Sequence, residues 1–348
     1  MPHAITRRGL GAMMGAVVAV PVIGRTAAAA DTTALEAAAR KEGSLTWYTA
    51  HTDGETAEQV GRAFTARYPG ITVNVIRTTA QVAYQRLLQD IKNNSAQCDV
   101  FSSTDPGHDE ALKARKLLTH YVPLAASVVS EPFRGVDPDG FYYATSAGLV
   151  LITYNTSKLR AEDVPKNWPD LLLPKYKDQV SVGHPAFSGY VGTWVLAMRK
   201  LYGWEYFEKL EKNKPQIGRS VNDTVTMLNS GERLVAAGPS GTTLSSADKG
   251  NPLALVYPTD GAVLLVSPSA IMANAPHPNA ARLFMEFMLG EEHAKISVEK
   301  RNESLRPEVK PLAGAKPLEE AKVIRLSVAE ISKGIPEVIE QWRDTFGT

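Results

Sequence analysis

Cysteine is almost absent from the sequence. Cys98 is the single cysteine among 348 residues, so no disulfide can form within the chain and no paired cysteines are available to bind a metal. Because Cys98 begins an apolar, strand-like run, we interpret it as a buried strand residue rather than a nucleophile. The chain could fold in an oxidising compartment, but it would form no internal disulfide there.

An excess of charge of either sign is also missing. The 38 basic and 37 acidic side chains nearly balance, whereas a nucleic-acid-binding protein would show a concentrated basic stripe. Nucleic acid is therefore excluded as a partner. The sequence also lacks the G-x-S-x-G, H-E-x-x-H and P-loop motifs of common enzymes. We expect no enzyme, and an exported α/β hydrolase is kept only as an alternative.

Long hydrophobic runs are lacking outside the N-terminus. There, Arg7 and Arg8 precede a weakly apolar stretch rich in glycine and alanine, which ends in the alanines 27–30. This pattern is typical of an export signal over residues 1–30, cleaved after Ala30, and its basic pair resembles a twin-arginine signal. A retained anchor is the alternative, although the run is short for a bilayer. The mature chain is expected in the periplasm or outside the cell.

The rest of the chain is long enough for two lobes, because one core rarely serves more than about 250–300 residues. From residue 43, strand-like and helix-like segments alternate. The strands are expected at 44–50, 71–78 and 98–103, and the helices at 53–70, at 80–94 and from Pro106 onward. Such alternation predicts βαβ units, a parallel sheet and the α/β fold class.

Polar side chains follow each of these three strands. Ligands of parallel sheets bind beyond the carboxyl ends of the strands, so three polar ends on one edge predict a binding rim. An arginine at such an end could neutralise an anion. Asp105 or Thr104 is expected to cap the helix that starts at Pro106. The predicted rim residues are His51, Thr52, Arg77, Thr78, Ser102, Ser103 and Thr104.

The second half of the sequence contains longer β-rich runs. Residues 141–155 and 262–273 are both apolar and β-like. Between and after them, the pattern predicts a strand, a loop and a helix over 179–203, a helix near 222–232, a strand at 233–238, a hydroxyl-rich loop at 239–253, and helices at 278–297 and 338–346.

The order of these segments resembles that of a known family. The stretches LTWYTA, DVFSSTD, GLVLITYN, SGY, NSGERLVAAG and AARLFMEFMLGEEHAKIS succeed one another as in the extracellular solute-binding proteins of ABC importers, specifically the ferric-ion-binding-like branch. The resemblance covers essentially the whole mature chain. It implies a two-lobed, type II periplasmic-binding-protein fold, in which each lobe is a mainly parallel sheet flanked by helices. It also implies a monomer without a cofactor that delivers its cargo to a permease of the inner membrane.

The same resemblance divides the mature chain between two lobes. The N-terminal lobe would comprise residues 31–140 and about 260–310, and the C-terminal lobe about 141–259 and about 311–348. Residues 144–154 and 256–266 would connect the lobes and bend as the cleft closes on its ligand.

The resemblance also bears on the cargo. Iron carriers of this family use adjacent tyrosines and a carboxylate as ligands, but the matching positions here carry Ser240, Gly241, Thr242, Thr243 and Thr104. No metal ligands are assigned, and ferric ion is kept as the alternative cargo. The family's anion cradle is matched by Ser188, Gly189 and Tyr190 at one helix start and by Asn222 at another. We therefore expect a small anionic solute, phosphorylated or carboxylated.

Overall fold

The structure is a computed structural model that describes Met1 and residues 24–348, with side chains from residue 32 onward. Most of the predicted export signal thus lies outside the described residues. The helices in the described part are α1 (Gly24–Glu42), α2 (Gly54–Arg67), α3 (Ala80–Lys92), α4 (Pro106–Ala114), α5 (Gly189–Tyr202), α6 (Glu205–Lys212), α7 (Asp223–Ser230), α8 (Ser240–Asp248), α9 (Pro278–Met288), α10 (Glu291–Glu299) and α11 (Val328–Phe346). None of these is long and apolar enough to cross a membrane.

The strands form one curled, mostly continuous sheet. They are β1 (Ser44–Thr49), β2 (Thr72–Arg77), β3 (Val100–Ser102), β4 (Tyr142–Asn155), β5 (Val180–Gly183), β6 (Gln216–Gly218), β7 (Val235–Pro239), β8 (Leu253–Val256), β9 (Ala262–Ile271) and β10 (Val323–Ile324). Their order is β2-β1-β3-β9-β4-β7-β5-β6, with β10 paired to β9 and β8 to β4. The three strands at each end of this order run parallel to one another.

The two long strands β4 and β9 join the two parallel parts of the sheet. They pair antiparallel from Tyr142 opposite Ala270 to Val150 opposite Val263. Beyond that ladder, β9 pairs with β3 and β4 pairs with β7, both antiparallel. The second connecting run was expected at 256–266, but β9 begins at Ala262 and extends to Ile271.

The predicted alternation of strands and helices in the first third is confirmed by β1 to β3 and α2 to α4. Three predictions in the second half were wrong. The hydroxyl-rich segment expected to be a loop contains α8, the helix expected at 278–297 is broken at Gly290 into α9 and α10, and the last helix begins at Val328 rather than near 338. Helix α6 was not predicted.

Each parallel part of the sheet has its own apolar core. Trp47, Phe64 and Phe284 lie in one cluster with α1, α2 and α9, and Trp168, Trp194 and Trp342 lie in another with α5 and α11. Two neighbouring strand residues, Trp47 and Tyr48, are both fully buried, because helices cover both faces of a parallel sheet. Cys98 is buried as predicted, and burial raises the pKa of its thiol.

Candidate functional site

A cleft of about 660 Å³ lies between the ends of β1 to β3 and the starts of three helices from the other part of the fold, α5, α7 and α8. The carboxyl ends of β1 to β3 meet at one edge of their parallel sheet. The N-terminal ends of α5, α7 and α8, which belong to the second parallel part, lie opposite that edge. Of the residues predicted from the sequence, the structure brings together His51, Thr52, Arg77, Thr104, Ser188, Tyr190, Asn222, Ser240, Gly241 and Thr242 in the lining.

Five helices begin at the edge of this cleft. The capping residues of α2, α3, α5 and α7, which are Asp53, Thr79, Ser188 and Asn222, all line it, as does Ser240 at the start of α8. The first N–H groups of a helix have no partner within the helix, and its dipole is positive at that end. Converging N-termini therefore attract negatively charged oxygen atoms without the need for many cationic side chains.

The wall formed by β1 and β2 holds polar atoms that lack partners. His51 Nδ1, Thr52 Oγ1 and Thr79 Oγ1 are buried and make no hydrogen bond within the described structure. All three residues line the cleft. Leaving a buried polar atom unpaired costs about 1–3 kcal/mol, so a ligand that supplied hydrogen-bond partners here would recover that cost.

His51 is a neutral group of this wall. Its side chain packs edge-on to Trp47, with 5.7 Å between the ring centroids, and the residue is only 7% exposed. Burial, with smaller contributions from nearby His293 and Arg77, lowers the pKa of His51 to about 3. The imidazole therefore stays uncharged at ordinary pH and can offer one hydrogen-bond donor and one acceptor.

Arg77 supplies positive charge to the same wall. Its Nε donates to the backbone oxygen of Thr52 at 2.7 Å, and its guanidinium makes no ion pair among the described residues. Burial lowers the pKa of Arg77, while the charges of Asp53 and Asp223 oppose that shift. An arginine remains protonated under these conditions, so its remaining N–H groups are available to an anion.

The opposite wall, formed by the starts of α5, α7 and α8, contains hydrogen-bond donors. Hydrogen bonds within the protein hold some of these groups in position. Thr242 donates to Asn222 Oδ1 at 2.8 Å, which leaves the amide NH₂ of Asn222 free for a ligand. Asp223 accepts from the N–H of Ser220 at 3.0 Å and so fixes the loop before α7. Ser188 makes no capping hydrogen bond with α5, so its hydroxyl is not committed to the helix.

The start of α8 is tied to two distant segments. Ser240 Oγ accepts from the N–H of Leu149 in β4 at 3.3 Å. A Cβ on Gly241 would lie 2.6 Å from Oδ1 of Asn302, just beyond α10. These contacts explain why the site contains a glycine at this position, since any side chain would displace Asn302 from the cleft lining.

Tyr190 lines the cleft but its phenol group is committed. The hydroxyl forms a hydrogen bond with Ser267 Oγ in β9 at 2.5 Å. Burial raises the pKa of Tyr190 to about 12. The phenol group is thus neutral in this arrangement and already hydrogen-bonded within the protein.

Ser102 and Ser103 lie outside the cleft, in contrast to the prediction for the binding rim. Both are fully buried. Ser102 Oγ accepts from Trp47 Nε1 at 2.7 Å and bonds Ser269 Oγ at 2.5 Å. Ser103 Oγ bonds His108 Nδ1 at 2.9 Å. Their hydroxyls are used to join β3 to its neighbours and to α4, so they have a structural role in this arrangement.

Thr104 is the one residue of that hydroxyl group that lines the cleft. The residue that caps α4 is Asp105, which accepts from the N–H of Gly107 at 2.9 Å, and Pro106 is the first helical residue. This confirms the prediction that the helix starts at Pro106 and that Asp105 or Thr104 caps it. The cap is Asp105, so Thr104 does not cap the helix.

Three further predicted residues do not line the cleft. The N–H of Thr78 donates to Thr49 O at 3.1 Å as the chain leaves β2. Thr243 is fully buried on the inner side of α8. Gly189 packs its Cα against the backbone of Thr104, where a Cβ would have no room. The close approach at Gly189 is thus made by the protein's own chain.

Several lining residues are not among the predicted site residues, namely Thr79, Ser220, Asn229, Lys300 and Asn302. Thr79 follows Thr78 at a strand end and could have been chosen on the same grounds. The others belong to segments that read as loops or solvated helix ends, and only tertiary packing brings them to the site.

Three of the carboxylates at the cleft are bonded to other groups of the protein. Asp53 caps α2 and accepts from both the N–H and the hydroxyl of Thr56. Glu55 pairs with Lys300 at 3.1 Å. Asp248 pairs with Arg301 at 2.6 Å. Asp223 and Glu299 line the cleft without an ion pair among the described residues, so an anion would have to bind near Arg77 and the helix N-termini rather than near these two carboxylates.

A fold with two parallel α/β parts, joined by long antiparallel strands and facing each other across a polar cleft, is that of a solute-binding protein. Residues 97–333 match the bacterial extracellular solute-binding protein family, and the chain belongs to that family. Proteins of this family bind solutes and pass them to an ABC permease.

Solved structures confirm the predicted type II periplasmic-binding-protein fold. Periplasmic binding protein AfuA from Actinobacillus pleuropneumoniae, with fructose-6-phosphate bound, is similar over 88% of this chain and 99% of its own, with a TM-score of 0.79 and 21% identity. Iron-bound HitA from Pseudomonas aeruginosa is similar over 87% and 99%, with a TM-score of 0.75 and 22% identity. An uncharacterised protein of Haemophilus influenzae is 25% identical over 282 residues, which are 78% of this chain and 80% of that protein.

Proposed function

We propose that this protein is the periplasmic substrate-binding component of an ABC importer for a small anionic solute, a phosphorylated or carboxylated organic molecule. The observation that supports this most strongly is the cleft itself, in which five helix N-termini and an unpaired Arg77 meet hydrogen-bonding atoms without partners. The helix starts and Arg77 suit an acidic group. His51, Thr52 and Thr79 suit the hydroxyl or other neutral polar groups of the same molecule.

Ferric ion, the alternative cargo, fits this cleft less well. Fe(III) prefers anionic oxygen ligands, whereas Tyr190 is the single tyrosine of the described cleft lining and its hydroxyl is bonded to Ser267. Within the described residues, no three histidine, cysteine or acidic side chains are grouped so that they could hold a metal ion. The similarity to iron-bound HitA extends to the fold, and the donor atoms here favour an anion.

Capture would occur by closure of the two lobes over the ligand. In this proposal β4 and β9 form the hinge, since they connect the two parallel parts of the sheet. Each wall of the cleft offers half of the hydrogen bonds. A ligand that touches both walls binds the closed form better and shifts the population toward it.

A binding survey tests this proposal. Protein purified without denaturation is titrated calorimetrically with fructose-6-phosphate, with malate and with ferric citrate, and metal content is measured in parallel. Saturable binding of a phosphorylated or carboxylated compound, with compaction in small-angle scattering, is the expected result. Stoichiometric iron with a visible charge-transfer band and no anion binding would replace the proposal by ferric transport.

Replacing Arg77 by glutamine is expected to weaken binding of the best anion from that survey by about tenfold, because one charge-assisted hydrogen bond to the ligand is lost at the solvent-reachable side of the cleft. Isothermal titration calorimetry measures the change. Arg62→Gln, on the exposed side of α2, removes the same charge away from the cleft and should leave the affinity unchanged. Equal affinities for both variants would contradict a role for Arg77.

A further inference from the structure

A second cavity lies on the other side of the strand that lines the cleft. It has a volume of about 340 Å³, at the lower end of the range of about 300–1,000 Å³ for small-molecule sites. Leu264 and Val266 of β9 line this cavity, whereas Leu265 between them lines the solute cleft. Successive side chains of a strand point to opposite faces, so β9 separates the two cavities and a ligand in one does not occupy the other.

Three segments that are distant in sequence form the walls of this cavity, which we call the rear pocket. They are the start of α4 at Pro106, the loop 132–136 before β4, and residues 325–331 at the start of α11. Its apolar surface comes from side chains that are mostly buried, and these belong to Leu264, Val266, Pro268, Leu326, Val328 and Ile331. A cavity with such walls accepts an apolar body.

The charged groups of the rear pocket are of one sign. Arg134 and Arg325 line it, and none of its lining residues is acidic. Arg134 Nε donates to Val129 O at 2.5 Å, and Arg325 Nη2 donates to Pro132 O. These bonds hold both guanidinium groups on the loop. Neither forms an ion pair with a carboxylate among the described residues, so each keeps N–H donors that are free for an acidic group.

We propose that the rear pocket is a second ligand site, which takes a small organic carboxylate with an apolar body such as an aryl-alkanoic acid. The carboxylate would bridge Arg134 and Arg325 through charge-assisted hydrogen bonds. The apolar body would displace water from Leu264, Val266 and Ile331. The site does not overlap the solute cleft and does not rest on the identity of the solute bound there.

The test uses phenylbutyrate as the probe and phenylbutanol as its neutral analogue of matched shape. Binding is followed by calorimetry and by NMR on the full mature chain, with and without the best cleft ligand. Phenylbutyrate is expected to bind once per chain, at least about tenfold more tightly than phenylbutanol, and without competition from the cleft ligand. Competition between the two, equal binding of acid and alcohol, or no saturable binding would each overturn the proposal.

Two variants place the probe in the rear pocket. Arg134→Gln with Arg325→Gln should weaken phenylbutyrate binding by at least about tenfold, whereas Arg62→Gln with Arg67→Gln removes the same charge from α2 and should not. Ala329→Trp fills the pocket from an exposed position of α11 and should abolish binding without a change in thermal unfolding. Unaltered binding in both the arginine double variant and Ala329→Trp would show that the probe binds elsewhere.

Discussion

Alanine in place of Gly189 is expected to lower the free energy of unfolding by about 3 kcal/mol or more and to weaken solute binding at the same time. The new Cβ would lie 2.6 Å from Asp105 N and closer still to the carbonyl of Thr104. Both are backbone atoms, which cannot rotate away as the tip of a side chain can. The start of α5 must therefore move away from the turn between β3 and α4.

That movement matters for function because the two segments bear opposite walls of the cleft. Thr104 lines one wall and Ser188, next to Gly189, lines the other. A separation of these walls lengthens the hydrogen bonds that a bridging ligand can make to both. Urea unfolding measures the loss of stability, and titration with the best anion from the binding survey measures the loss of affinity.

Gly192→Ala is the matched control, since Gly192 lies one turn further along the same helix. Its Cβ would lie 2.9 Å from both Cδ1 and Cγ1 of Ile335, which are side-chain and not backbone atoms. Displacement of this buried side chain costs stability, whereas the higher helix propensity of alanine restores part of it, so the loss should be smaller than for Gly189→Ala. If Gly189→Ala and Gly192→Ala proved equally mild, the contact with Thr104 would not be a constraint on the fold.

The sequence predicts which edge of the first parallel sheet forms the binding rim, because this prediction depends only on local patterns. Strand periodicity, helix caps and polar strand ends all act over a few residues. They place His51, Thr52, Arg77 and Thr104 on one rim, and the structure brings these four residues to the lining of one cleft. The same reasoning also predicted the helix start with Ser188 at its cap.

The sequence does not reveal which hydroxyl group after a strand is buried in the core and which one faces the cleft. Ser102 forms a hydrogen bond with Ser269, which is 167 residues away, and no local sequence pattern predicts such a partner. Thr104, two residues later, faces the cleft instead. Alternation along a strand separates the two faces of a sheet, but the chain turns after Ser102 and the alternation ends there.

The secondary structure of α8 also could not be predicted from its local sequence. Its sequence, SGTTLSSAD, is rich in serine and threonine, which favour caps and turns over helix interiors. The segment is helical because Ser240, Gly241, Thr243 and Ser246 pack inward against β8 and β4. Tertiary packing overrides weak intrinsic propensity, and a site at the start of α8 could be placed only once that packing was known.

Glu303→Gln is expected to stabilise the protein at about pH 8 by about 3 kcal/mol, with no change at about pH 4. Burial, together with the charge of Glu319, raises the pKa of Glu303 from 4.5 to about 7. Between these values the folded protein holds a proton that the unfolded chain has released. Stability is therefore fully present below the unfolded pKa and is lost as the pH rises through the folded pKa.

Glutamine is neutral at every pH and removes that loss, so urea unfolding of Glu303→Gln should show a flatter pH dependence than the parent between about pH 5 and pH 8. Glu319→Gln, at an exposed position, should shift stability by less than about 0.5 kcal/mol. Glu303 follows Asn302, which lines the cleft, and its N–H donates to Ala147 O of β4 at 3.1 Å. Since its carboxyl group is outside the lining, Glu303→Gln should leave solute affinity unchanged. Parallel pH curves for parent and variant would mean that folding does not raise the pKa of Glu303.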